Sequence, residues 1–215
     1  MRIRVKICGL RTAEDVAFAA EAGASYVGLV FYPRSPRFLT VDAAREAALG
    51  APAGVAKVGL MVNATDAELD AILARVPLDM LQLHGQESPA RVAAVRARCG
   101  LPVMKAFGVA DLADLAQIGR YEGVADQVLV DAKPPKDGLP GGNGHSFDWG
   151  LIAGYRWPLP WILAGGLKQA TVAEAIRLTG AGQVDVSSGV ENAPGVKDRA
   201  RIAGFIRAAG GGAEG

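Results

Sequence analysis

The sequence predicts an α/β protein of the (β/α)8 (TIM) barrel class: a single domain of eight parallel strands closed on themselves, with helices outside. Three observations carry this expectation. Short apolar runs alternate with Ala-rich helical segments from one end to the other, the pattern of βαβ units built on a parallel sheet. Eight such units can be counted, and eight close into a barrel, whereas an open doubly wound sheet usually stops at about five or six strands. Hydrophobic residues make up 50% of the 215 and Gly accounts for 28, which suits strands buried on both faces and joined by tight turns.

Each unit has its own signature. Ile3 to Cys8 is an apolar run ending at Gly9, and Thr12 is an N-cap for a helix over Ala13 to Glu21. Tyr26 to Phe31 opens the second unit, with a helix from Val41 to Gly50. Lys57 to Val62 opens the third, with a helix from Asp66 to Arg75. Five further strands follow at Met80 to Leu83, Val103 to Phe107, Gln127 to Asp131, Trp161 to Leu163 and Val184 to Val186. The helical stretches after them span 89–98, 111–119, 148–154, 171–179 and 197–208, and Gly and Pro punctuate the joins. The barrel domain is thus expected over 1–209. Residues 210–215, rich in Gly and without an apolar face, read as a flexible tail. Ala132 to Phe147 is long for a βα connection, and loops of that length tend to be functional, so a mobile lid is expected there.

Composition narrows the partners. With 23 basic and 22 acidic side chains the net charge is +1, so no charge excess points to nucleic acid or to an anionic membrane surface. A small molecule is the default ligand, with the protein a monomer or homodimer. Cys8 and Cys99 fall in different elements with no CxxC pair, which argues against a disulfide framework or a zinc site. No leader-like start and no run of about eighteen apolar residues is present, so a soluble cytoplasmic protein is expected.

In a barrel of this class the reactive groups stand at the C-terminal ends of the strands. Cys8 ends the first strand, where a thiolate stabilised by nearby cations can act as a base; the alternative is a buried apolar cysteine. Asp131 ends the run Val128-Leu129-Val130, and a carboxyl at the rim of a dry core can be held protonated and serve as an acid. The plainer reading has it cap the strand end or pair with Lys133 or Lys105. Arg37 sits in Tyr32-Pro33-Arg34-Ser35-Pro36-Arg37, where two prolines stiffen the loop and a planar fork suits a carboxylate. His84, in Gln82-Leu83-His84-Gly85, reads as a ligand, a proton carrier or simply a satisfied polar group at the rim, with no partner at metal-ligand spacing, so no metal is expected. Ala164-Gly165-Gly166 and Ser187-Ser188-Gly189 follow the seventh and eighth strands, the usual places for a phosphate in such barrels. Gly141-Gly142-Asn143-Gly144 is a weak dinucleotide fingerprint, since no strand immediately precedes it.

Taken together, the chain resembles the phosphoribosylanthranilate isomerase family over essentially its whole length. The resemblance rests on Lys6-Ile7-Cys8-Gly9-Leu10, Phe31-Tyr32-Pro33 with Ser35-Pro36-Arg37, Gln82-Leu83-His84-Gly85 and Leu129-Val130-Asp131-Ala132. It continues through Gly141-Gly142-Asn143-Gly144 with Phe147-Asp148-Trp149, Leu163-Ala164-Gly165-Gly166-Leu167, and Val184-Asp185-Val186-Ser187-Ser188-Gly189-Val190-Glu191. Where the family usually has Gly-Gly-Thr-Gly followed by a basic residue, Asn143 and His145 stand here. The resemblance implies a cofactor-free Amadori rearrangement in tryptophan biosynthesis, with Asp131 as acid and Cys8 as base. It further implies that Arg37 binds the anthranilate moiety, that the loops with Gly142, Gly144, Gly165, Gly166, Ser187, Ser188 and Gly189 hold the phosphosugar, and that Asp185, Lys6 and His84 assist. Two alternatives stay open: isomerisation of the histidine-pathway aminoribose phosphate, alone or as well, and a non-catalytic phosphosugar-binding barrel. The first resembles Asp/Asp chemistry, which Cys8 does not match.

Overall fold

The structure is a computed structural model, and it describes residues 2–133, 141–142, 144 and 146–210. Eight parallel strands close in sequence order: β1 Arg4–Cys8, β2 Tyr26–Val30, β3 Ala56–Met61, β4 Met80–Leu83, β5 Val103–Val109, β6 Gln127–Ala132, β7 Trp161–Leu163 and β8 Gln183–Val186. The ring is completed by β1 pairing with β8, Lys6 opposite Asp185. Around it run α1 Ala13–Glu21, α2 Val41–Leu49, α3 Asp66–Leu73, α4 Pro89–Cys99, α5 Leu112–Ala116, α6 Val172–Thr179 and α7 Arg199–Ala208. All but α6 start at a side-chain cap, among them Thr12, Thr40, Ser88 and Asp198; Thr65 and Glu68 form a capping box at α3.

Three elements differ from the expectation. The helix expected over 148–154 is a 3-10 turn, Trp149–Ile152. Gly150 and Gly154 lower its helical propensity, and Asp148 caps the Gly150 amide locally at 2.9 Å. The stretch 111–119 divides into α5 and a 3-10 turn, Ile118–Tyr121. After β8 the chain makes a 3-10 turn, Ser188–Val190, and a hairpin of β9 Glu191–Ala193 with β10 Val196–Lys197 before α7 begins. Of the residues expected to form a tail, 210–215, all but Gly210 lie outside the described residues, as do 134–140, Asn143 and His145 in the long sixth loop.

The period of two along each strand sorts the chemistry. Val5, Ile7, Leu81, Leu83, Val128, Val130, Val184 and Val186 belong to the large apolar cluster packed against the helices. Their neighbours Lys6, Cys8, Gln82, Asp131 and Asp185 therefore turn the other way, into the barrel. The barrel interior is filled on one side by Met104, Ala106, Leu129, Ile162 and Ala164. Lower in the barrel, Tyr26 donates to Gln183 at 2.8 Å and Arg4 stacks over the Tyr26 ring. Polar groups thus line the interior from the middle to the C-terminal mouth, and no described helix is long and apolar enough to cross a membrane.

Candidate active site

At the C-terminal ends of the strands lies a cavity bordered by Cys8, Arg37, Gln82, His84, Asp131 and Asp185. It adjoins a second one lined by Gly144, Gly165, Gly166, Ser187, Ser188 and Gly189. Asp131, Gly142, Asp185 and Ser187 border both. One continuous site therefore gathers all the predicted residues except Lys6, which is buried beneath it with 0% exposure. Among the described residues no group of three or more His, Cys, Asp or Glu is placed to hold a metal ion.

The floor is an ion pair. Lys6 Nζ donates to Asp185 Oδ1 at 2.8 Å. Burial alone would lower the Lys6 ammonium, but the Asp185 carboxylate and the Cys8 sulfur raise it above the usual lysine value. Cys8 responds in kind. Burial pushes its thiol above the ordinary value, while Lys6 and, more weakly, Lys197 pull it down. The sulfur thus sits in a dry pocket where cations supply its stabilisation as a thiolate. Gly28 on the neighbouring strand makes room for it, since a Cβ there would lie 2.9 Å from Cys8 Sγ.

Asp131 is the opposite case. Burial, reinforced by the nearby Asp185 charge, raises its carboxyl to about 7, against the weaker effects of the Ala132 amide and of Lys6. Neither lysine offered as a plainer partner engages it: Lys133 pairs with Asp114 at 2.6 Å, and Lys105 with Glu87 at 3.0 Å behind the sheet. Oδ1 accepts from the Ala132 amide at 2.8 Å, which leaves Oδ2 toward the cavity. His84 is the neighbour there, its Nε2 3.7 Å from Oδ2 and its Nδ1 2.9 Å from Gln82 Nε2. His84 is therefore part of the site rather than a bystander at the rim.

Arg37 has a partner within the protein that the sequence did not show. Nε and Nη2 each lie 2.7 Å from a Glu191 carboxylate oxygen, so one edge of the fork is occupied. A second Nη2 contact runs to the Gly142 carbonyl at 3.3 Å. The sequence could not expose this, because Glu191 lies 154 positions away and only the hairpin after β8 brings it over the second loop. Lys197 was missed for the same reason. It donates to Glu191 at 2.7 Å and to the Ser187 carbonyl at 3.0 Å, while the Ser187 hydroxyl donates to the Cys8 carbonyl at 3.0 Å.

Two described glycines of the sixth loop, Gly141 and Gly142, come close to the site. A Cβ at Gly141 would lie 2.8 Å from the His84 ring and 3.0 Å from Asp131 Oδ2, and one at Gly142 2.5 Å from Arg37 Nη1. Only glycine permits so close an approach, and Gly142 also has φ +74°. The rest of the expected lid falls largely outside the described residues.

A family model described as N-(5'phosphoribosyl)anthranilate (PRA) isomerase matches residues 5–208. The chain belongs to this isomerase family. An N-(5'-phosphoribosyl)anthranilate isomerase of Cereibacter sphaeroides is 67% identical over 96% of this chain and 98% of its own length. One from Paramagnetospirillum magneticum is 57% identical over 99% of both. The crystal structure of the Thermotoga maritima isomerase superposes with a TM-score of 0.88 at 38% identity, covering 97% of this chain and 99% of that one. A further phosphoribosylanthranilate isomerase structure, at 36% identity and TM-score 0.85 over the same shares, is a complex with reduced 1-(o-carboxyphenylamino)-1-deoxyribulose 5-phosphate. For an isomerase of this family the two adjoining cavities suit a ligand with a ring at one end and a phosphate at the other. The glycine-lined one carries the backbone amides and hydroxyls that a phosphate needs.

Proposed function

We propose that this chain isomerises N-(5'-phosphoribosyl)anthranilate to 1-(2-carboxyphenylamino)-1-deoxyribulose 5-phosphate, a step of tryptophan biosynthesis, as a cytoplasmic enzyme working without a cofactor. The observation that carries the assignment of roles is the placement of a raised carboxyl, Asp131, and a cation-flanked thiol, Cys8, on one cavity. Phosphate held by the loops of Gly165, Gly166, Ser187, Ser188 and Gly189 fixes the sugar between them.

Asp131 gives its proton to the furanose ring oxygen as the C1–O bond breaks, leaving a protonated Schiff base at C1. Its Oδ2, facing the cavity, is the donating atom. Cys8 thiolate then takes the C2 proton, and the electron pair moves into a C1–C2 double bond, giving an enolamine. Tautomerisation, with a proton delivered to C1, yields the ketone at C2. Lys6 keeps Cys8 ionisable and is itself held by Asp185. Arg37, through the end of its guanidinium not taken by Glu191, meets the anthranilate carboxylate.

The test is a turnover assay following loss of anthranilate-type fluorescence. Cys8→Ser and Asp131→Asn are each expected to lower kcat by roughly 10²–10⁴-fold with smaller changes in binding. Turnover that survives both substitutions refutes the acid and base named here. Running the histidine-pathway aminoribose phosphate alongside separates single from dual specificity, and no turnover of either substrate by the wild type leaves only a binding barrel.

A further inference from the structure

Glu191 has no part in the reaction steps above, yet it is the most heavily bonded carboxylate at the mouth. It is 6% exposed. One oxygen accepts from Arg37 Nε and Lys197 Nζ, both at 2.7 Å; the other accepts from Arg37 Nη2 at 2.7 Å and from the Gly195 amide at 3.3 Å. Its main-chain carbonyl accepts from Arg201 Nη1 at 2.5 Å. The hairpin that carries it packs against the second loop so closely that a Cβ at Gly195, φ +80°, would lie 2.5 Å from the Pro36 carbonyl oxygen. Burial would raise the Glu191 carboxyl, but Arg37 and Lys197 hold it below the usual value, so it stays ionised.

This arrangement constrains Arg37 in a specific way. A guanidinium has five N–H groups in one plane. Glu191 takes the Nε proton and one on Nη2, and the Gly142 carbonyl takes the other Nη2 proton. The Nη1 pair has no acceptor among the described residues, and Arg37 borders the cavity. A two-point ion pair fixes both the plane and the reach of the side chain, which free rotamers would not.

We infer that Glu191 is a positioning residue that sets substrate specificity: by seizing one edge of Arg37 it aims the Nη1 end at the ring carboxylate of the ligand. The inference rests on the reading of Arg37 given under Proposed function. Lys197 supports it by balancing the carboxylate from the far side, so that Arg37 is oriented without being fully neutralised.

The experiment compares two product analogues by isothermal titration to the full chain. One is reduced 1-(o-carboxyphenylamino)-1-deoxyribulose 5-phosphate; the other has hydrogen in place of the ring carboxylate. Glu191→Gln keeps the shape but loses the bidentate acceptor, and is expected to weaken the first analogue about tenfold or more and the second less than about threefold. Glu191→Asp, which keeps the charge, is expected to recover part of that loss. Arg37→Met is expected to show the same selectivity at larger size. If Glu191→Gln and Glu191→Asp weaken both analogues alike, or neither, while Arg37→Met remains selective, the positioning role is wrong. If Arg37→Met is itself unselective, the reading of Arg37 fails and the inference falls with it.

Discussion

Lys6 and Asp185 face each other across the seam that closes the barrel, paired in strand register and joined side chain to side chain at 2.8 Å with the lysine fully buried. The pair does two things at once. It gives the closing strands a polar lock, and it places a cation under Cys8, which offsets part of the upward push of burial on the thiol, and an anion near Asp131, which adds to the rise of that carboxyl.

Breaking that pair from one side is expected to be costly. Lys6→Met leaves the Asp185 charge buried without its partner, for a loss of about 3–5 kcal/mol. The double variant Lys6→Met with Asp185→Leu is expected to regain much of it, because no lone charge remains. Urea unfolding of the three proteins checks this; a double variant no more stable than the single one argues against it.

Asp131 predicts a conflict between stability and activity. Burial favours its neutral form, so between about pH 4 and 7 the folded chain keeps a proton that the unfolded chain has released. The stabilisation is complete below the ordinary carboxyl value and is lost as pH rises through about 7. At pH 8 the deficit approaches about 4 kcal/mol, so Asp131→Asn is expected to melt at a higher temperature than wild type there. The difference should shrink steadily toward pH 4. A difference independent of pH would mean that the carboxyl is not held neutral.

An acid near 7 beside a thiol above its ordinary value makes the working form, Asp131 protonated and Cys8 ionised, the minor one. Below about 7 kcat/KM is therefore expected to climb with pH as thiolate forms. Above that point the gain in thiolate is offset by loss of the Asp131 proton, and the curve levels until Cys8 itself titrates. Thiolate absorbance in a Cys99→Ala background locates the upper limb independently. A rate that simply falls through neutral pH would contradict these assignments.

Gly28 predicts a purely steric effect. A methyl group there meets Cys8 Sγ at 2.9 Å and its Cα at 3.0 Å, so the cysteine must shift on its strand end. Gly28→Ala is expected to lower kcat by about 10²-fold, with KM changed less than about threefold, because a displacement near 1 Å is enough to spoil alignment with C2. Equal loss in kcat for a substrate-independent reaction of the thiol, such as alkylation, would point instead to general disorder of the site.

The eight units, their order and most of their boundaries were written in the chain, because apolar period and Gly or Pro punctuation are local properties. So were Cys8, Asp131 and the glycine-rich loops, since strand ends can be located from the runs that precede them. Among the exceptions within the fold was 148–154, where apolar spacing suggested a helix but Gly150 and Gly154 leave only one 3-10 turn.

What the sequence could not decide was which charges meet. Lys6 and Asp185 are 179 positions apart, and Arg37 and Glu191 are 154 apart. Local pattern assigns each of them to a strand or loop but says nothing about partners, and Arg37 accordingly read as an open fork. Barrel closure and the hairpin after β8 made those pairings, because a buried charge must find an opposite one and only the folded chain determines which lies within reach.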